Sequence, residues 1–166
     1  LIFALVLKVI TFNFKLEPKK ANRNVISILG NGPSLKKDID NLLINKSKMD
    51  FCVVNYFANT DFFKELKPSH YVLIDPVFWN TQINENIKND NNILIQNLLA
   101  VDWKMELICR ADGYKKIKHQ LARNENILVK KIENNWFDFR TKKANIFALR
   151  FCLSTPNMVN VLIAAI

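Results

Sequence analysis

With 166 residues, 49% of them apolar, the chain can bury one substantial core and is too short for two folded domains. Its 24 Lys and Arg against 15 Asp and Glu leave a net charge of +9, which draws anions. Nucleic acid is set aside because no RNP1-like aromatic motif, zinc-finger spacing or arginine-rich arm occurs, while an anionic membrane surface, a phosphorylated or acidic substrate and a merely solvated lysine-rich surface stay open.

Residues 1–14 read LIFALVLKVITFNF and run into the basic stretch 15–23, with Lys15, Lys19, Lys20 and Arg23. The apolar part is shorter than the roughly 20 residues of a membrane span, and no small-residue cleavage site follows it. Segment 1–23 is therefore expected either to anchor at an anionic membrane surface or to pack onto the domain formed by 24–166. The chain opens on Leu1 rather than Met and closes inside the apolar run 159–166 without a C-cap signal, so a fragment is expected.

The run 25–29 suits a buried strand, and Gly30-Asn31-Gly32-Pro33 makes a tight turn, with glycines that tolerate unusual backbone angles. Ser34 can cap a helix in which Leu35, Ile39, Leu42 and Leu43 recur at helical spacing. In such a unit, free N–H groups and the positive end of the helix dipole converge on one spot that favours a phosphate. The turn lacks the third glycine of the dinucleotide fingerprint and the Gly-Lys-Ser/Thr of a phosphate-cradling loop. Amides and hydroxyls without a lysine clamp suit a sugar-nucleotide better than phosphoryl transfer from ATP.

Further strands are expected at 51–54, ending on Asn55, and at 70–74, ending on Asp75, with a short helix at 61–66 between them. Small polar residues that end successive apolar runs describe a parallel α/β sheet delivering side chains to one edge. Asn55 reads equally as a loop cap, and Asp75 before Pro76 as a turn residue. A helix is expected around 81–88, a loop at 89–92, a strand start or continued helix from 93, a strand at 106–109, a basic helix at 114–122 and a strand at 127–129. Residues 134–145 look irregular. Ser154 or Thr155 at an N-cap with Pro156 behind it starts a last, almost wholly apolar helix.

Cys52, Cys109 and Cys152 are widely spaced in apolar sequence, which argues against a disulfide framework and fits a reducing compartment. His70 and His119 stand far from them and from each other, so no zinc site is expected. His70 opens its strand, at the wrong edge for the crevice, and His119 belongs to a basic surface helix. No general base is identifiable in these residues.

The stretch Ile28-Leu29-Gly30-Asn31-Gly32-Pro33-Ser34-Leu35 with its following lysine, then Val54-Asn55-Tyr56-Phe57 and Ile74-Asp75-Pro76-Val77-Phe78, resembles the bacterial CMP-sialic-acid-dependent sialyltransferases of glycosyltransferase family 42. It is also similar to a wider group with the same turn that includes MptE-like proteins. Ser154-Thr155-Pro156 before an apolar helix resembles a later segment of these families. The resemblance implies a Rossmann-like open, mostly parallel sheet with helices on both faces, truncated here at the C-terminus. It also implies a metal-independent transferase whose nucleotide-sugar donor, with CMP as a candidate nucleotide, is a substrate rather than a cofactor.

Carried over, Asn31, Gly32 and Ser34 meet the phosphate and ribose, within the turn Gly30 to Pro33. Asn55 holds the nucleotide, and Ser154 and Thr155 lie near the donor sugar or phosphate. Asp75 stands where the sialyltransferases have asparagine, and its carboxylate repels an anionic donor unless it bonds a hydroxyl. The family's histidine base and assisting tyrosines lie further along than Ile166, so this chain alone is expected to be inactive. The expected function is transfer of a sugar to a bacterial surface glycan, such as lipopolysaccharide or capsule, at the cytoplasmic face of the inner membrane, with oligomerisation left open. The rivals are an MptE-like pterin pyrophosphokinase, which needs ATP and a divalent metal for which no carboxylate pair is evident, and a non-catalytic nucleotide-binding module.

Overall fold

Short β-branched and aliphatic runs alternate with amphipathic stretches along the chain, and the backbone alternates strand and helix to match. The computed structural model describes residues 25–32, 35–80 and 82–132, which belong to one compact unit. The strands are β1 (Ile26–Leu29), β2 (Asp50–Val54), β3 (His70–Leu73), β4 (Met105–Arg110) and β5 (Ile127–Ile132). The α-helices are α1 (Leu35–Ile44), α2 (Phe62–Leu66), α3 (Glu85–Leu99) and α4 (Ala111–Gln120), and single 3-10 turns at Asn55–Asn59 and Pro76–Phe78 follow β2 and β3.

The five strands form one open sheet in the order β1-β2-β3-β4-β5, with every pair parallel. This is the expected open, parallel, Rossmann-like α/β architecture, with the helices among the described residues on one face of the sheet rather than on both. Right-handed crossovers between strands in sequential order all pass over the same side of a sheet. The described helices do share one face: Ile39, Phe63, Leu94, Leu98 and Ile117 from the helices join Val53, Tyr71, Leu73 and Leu107 from the strands in one apolar cluster. Each such side chain taken fully out of water contributes about 1.5–3 kcal/mol.

Alternate strand residues point the other way. Cys52, Val54, Val72 and Ile74 are also buried, with Ile28 and Ile108 beside them, and none of the described helices contributes to this second cluster. Burial on both faces is why β2 and β3 read as continuous apolar runs. No helix among the described residues is long and apolar enough to cross a membrane.

The asparagine-rich stretch departs from expectation. The loop expected at 89–92 does not form, and of the two alternatives from 93 the continued helix holds rather than the strand, because α3 runs unbroken from Glu85 to Leu99. Asn84 caps the helix, its Oδ1 accepting from Ile87 N at 2.9 Å. Leu94 and Leu98 are buried and Ile87 and Asn91 half-buried at helical spacing, while Asn89, Asp90 and Asn92 face solvent, so packing outweighs their weak intrinsic preference. At the far end the buried Asn124 donates through Nδ2 to the carbonyls of Leu98 (3.1 Å), Leu99 (3.1 Å) and Val101 (3.0 Å), satisfying groups a helix end leaves open.

Segment 1–23, Pro33, Ser34, Thr81, the loop at 134–145 and the Ser154-Thr155 cap with its apolar helix lie outside the described residues.

Candidate functional site

Parallel strands send their following loops to the same edge of the sheet. Beyond the paired level Leu29, Val53 and Tyr71, Gly30 is one residue further along, Asn55 two and Asp75 four. Neighbouring strands lie about 4.8 Å apart, so the loops after β1, β2 and β3 stand side by side, Asp75 farthest out.

Neither Gly30 nor Gly32 takes a positive φ; no described glycine does. The left-handed residue at this edge is Asn55, at φ 54°, a conformation that asparagine tolerates better than most side chains. A buried tyrosine holds it there. Tyr71 is fully buried, and its hydroxyl donates to the Asn55 carbonyl while accepting from Ala58 N at 3.0 Å. Burial pushes the Tyr71 phenol well above its ordinary value.

Asn31 joins the first loop to the second. With its amide turned so that Oδ1 faces the donors, the orientation its surroundings require, it accepts from Tyr56 N (3.3 Å) and Phe57 N (3.2 Å). Gly32 O accepts from Leu35 N at 3.1 Å, closing the turn into α1, and among the described residues no backbone hydrogen bond uses the N–H of Gly30, Asn31 or Gly32.

Asp75 is exposed and caps the turn at Pro76–Phe78, its Oδ1 accepting from Val77 N at 3.0 Å. Tyr56 ties that turn to the others. Its ring meets Phe78 edge to face at 5.0 Å, its hydroxyl donates to Asn91 Oδ1 (2.9 Å), and Asn91 Nδ2 donates to Val77 O (2.8 Å). Burial raises the Tyr56 phenol above its ordinary value, with Asp90 and Asp75 adding to the effect. The three loops thus form one connected network from Asn31 through Tyr56 to Asp75.

A second cluster occupies the carboxyl end of β4 and was invisible in the sequence. Arg110 donates through Nε to Asp112 Oδ1 (3.0 Å) and through Nη2 to Oδ2, and its guanidinium lies over the Trp79 ring at 5.6 Å. The Arg110 hydrogen bonds hold the Asp112 carboxyl below its usual range. Lys116 Nζ donates to Trp79 O at 3.0 Å. Gly113 has no room for a side chain: a Cβ there would sit 2.3–2.7 Å from three atoms of the Trp79 ring. The only local cue was a polar pair straddling a strand end, which many surfaces carry.

His70 begins β3 at the opposite edge and bonds Ser69 Oγ at 2.9 Å, and His119 is solvent-exposed on α4, as expected. Burial raises the Cys52 and Cys109 thiols to about 11, which keeps both protonated and poor nucleophiles at neutral pH. No three His, Cys, Asp or Glu side chains among the described residues come together. An open groove of about 350 Å³ at the amino edge, lined by Lys46, Phe51, Glu65, Lys67 and Ser69, lies away from the converging loops, and its Lys67 pairs with Asp102 at 3.0 Å.

Of the expected site residues, Gly30, Asn31, Gly32, Asn55 and Asp75 come together at one edge. Pro33, Ser34, Ser154 and Thr155 lie outside the described residues. The fold and this edge define an open parallel α/β protein with a polar, loop-built rim. No family model, curated protein or solved structure matches the chain.

Proposed function

We propose that the carboxyl edge of β1, β2 and β3 binds the nucleotide part of a nucleotide-sugar, and that the chain is the donor-binding portion of a sialyltransferase-like glycosyltransferase acting on a bacterial surface glycan. The observation that carries the reading is the connected network from Asn31 through Tyr56 to Asp75, which holds three strand-end loops in one arrangement. The N–H groups of residues 30–32 face the donor phosphate, the Asn55 side chain bonds the base or ribose, and Asp75 Oδ2 accepts from a sugar or ribose hydroxyl. Amides and hydroxyls then take the charge developing on the leaving phosphate, and the general base comes from residues outside 25–132. The protein works at the cytoplasmic face of the inner membrane.

A carboxylate at Asp75 favours a donor whose nearest group is a hydroxyl over one with a carboxylate at that point. The rival pyrophosphokinase reading requires a divalent cation and ATP, and a non-catalytic module requires binding without turnover.

Thermal-shift titration with CMP, UDP, GDP and ATP tests the site. Asn55→Gly is the discriminating variant, because glycine keeps the left-handed backbone while removing the side chain. A pyrimidine nucleotide is expected to stabilise the wild-type chain, with the response lost in Asn55→Gly and kept in Ser69→Ala at the opposite edge. An unchanged response in Asn55→Gly, or stabilisation by ATP alone and only with a divalent metal, contradicts the reading.

A further inference from the structure

Helix α4 buries Gly113 and Ile117 and turns its other side to water. On that side Lys115, Lys116, Lys118 and His119 are exposed, and Arg123 is exposed in the turn that follows. At about 100° per residue, Lys115, Lys118 and His119 share one side of the helix with Lys116 at its flank, and Arg123 follows in the turn beyond the helix end at Gln120, extending this basic ridge.

None of these five side chains pairs with a carboxylate among the described residues. The ion pairs there use Lys67, Lys88, Arg110 and Lys130. Asp112, the acid on the same helix, is held by Arg110, and Glu125 lies past the ridge. Lys118 Nζ bonds the Tyr114 hydroxyl (3.2 Å) and Lys116 Nζ bonds the Trp79 carbonyl, which leaves both charges uncompensated.

We propose that this face of α4 docks the protein on an anionic lipid surface. Three features favour lipid over other anions. Three of the five groups are lysines, compact charges that suit diffuse attraction, whereas ordered phosphate recognition draws on bidentate arginines. No Phe, Tyr or Trp stands free on the ridge to stack a base; Tyr114 is half-buried with Lys118 Nζ 5.4 Å from its ring centroid. A second copy of a chain with net charge +9 is repelled at the same place. A group of exposed lysines with an arginine beside it suits a flat layer of negative headgroups, each contact being weak, additive and salt-sensitive.

The test is flotation of the whole chain with phosphatidylcholine vesicles with and without phosphatidylglycerol, across a salt series. Binding is expected only with phosphatidylglycerol and is lost as salt rises. The triple variant Lys115→Glu, Lys118→Glu, Arg123→Glu is expected to lower the partition coefficient by about tenfold or more. The matched variant Lys37→Glu, Lys48→Glu, Lys64→Glu, which changes the net charge equally at exposed sites elsewhere, is expected to lower it less than about threefold. If the glutamate triple fails to fold, Lys115→Gln, Lys118→Gln, Arg123→Gln is compared with Lys37→Gln, Lys48→Gln, Lys64→Gln, each of which removes three positive charges, and the same ordering of losses is expected. Equal losses in the ridge and matched triples, an unimpaired ridge triple, no binding by the wild type, or retention on an oligonucleotide but not on vesicles would each overturn the proposal.

Discussion

Tyr71 is one residue whose chemistry reaches the site although it lies under it. Its hydroxyl closes two backbone bonds at the end of β2, to Asn55 O and from Ala58 N. Tyr71→Phe keeps the ring and strips both, leaving buried backbone groups unpaired beside a left-handed asparagine. A loss of about 1–3 kcal/mol is expected from that, seen as a lower urea midpoint at unchanged slope, and an unchanged midpoint would show that the hydroxyl holds nothing. In the sequence Tyr71 was one more apolar residue in a strand, since burial hides the partner of a phenol until the register is known. Asn55 and Asp75 were legible because they end apolar runs. Their local tasks, a left-handed turn and a turn cap, are the ordinary alternatives that asparagine and aspartate always offer.

Among elements, the contact between the Pro76–Phe78 turn and α4 is set by a missing side chain. Trp79 lies against Gly113 so closely that a methyl group must displace the ring, and the ring also carries Arg110 over it. Gly113→Ala is expected to cost about 1–3 kcal/mol by overpacking, even though alanine is the better helix former. In the Trp79→Leu background the same change should cost little, because the clash is gone, and a double-mutant cycle in urea reads the difference. Equal costs in both backgrounds would mean that the ring does not set the contact. Helix α3 teaches the complementary lesson. Its run of asparagines looked like a loop because propensity is local, whereas the helix is held by Asn84 at one end, Asn124 at the other and Leu94 and Leu98 in the core. Asn124 lies 25 residues beyond Leu99, too distant for any local pattern to reveal.

At the scale of the molecule, parallel strands were legible because β2 and β3 are apolar on both faces, and that continuity requires a sheet buried twice over. The sequential strand order was not legible, since apolar runs do not say which neighbour each strand pairs with. It has a consequence for binding. Ligands in open α/β sheets favour the point where strand order reverses, and no reversal occurs among the described strands, so the candidate site rests on the adjacency and bonding of the first three strand-end loops. The turn at Gly30 was legible as a place for an anion, but its tie to Tyr56 and Phe57 through Asn31 needed three dimensions.

The most direct test of nucleotide binding at this edge is an amide nitrogen–proton NMR titration of the whole chain with CMP. Saturable shifts are expected in residues 30–32, 55–59 and 75–79, with Lys46, Ser47 and Ser69 at the amino edge undisturbed. No shifts at millimolar nucleotide, or shifts confined to the amino edge, would contradict it.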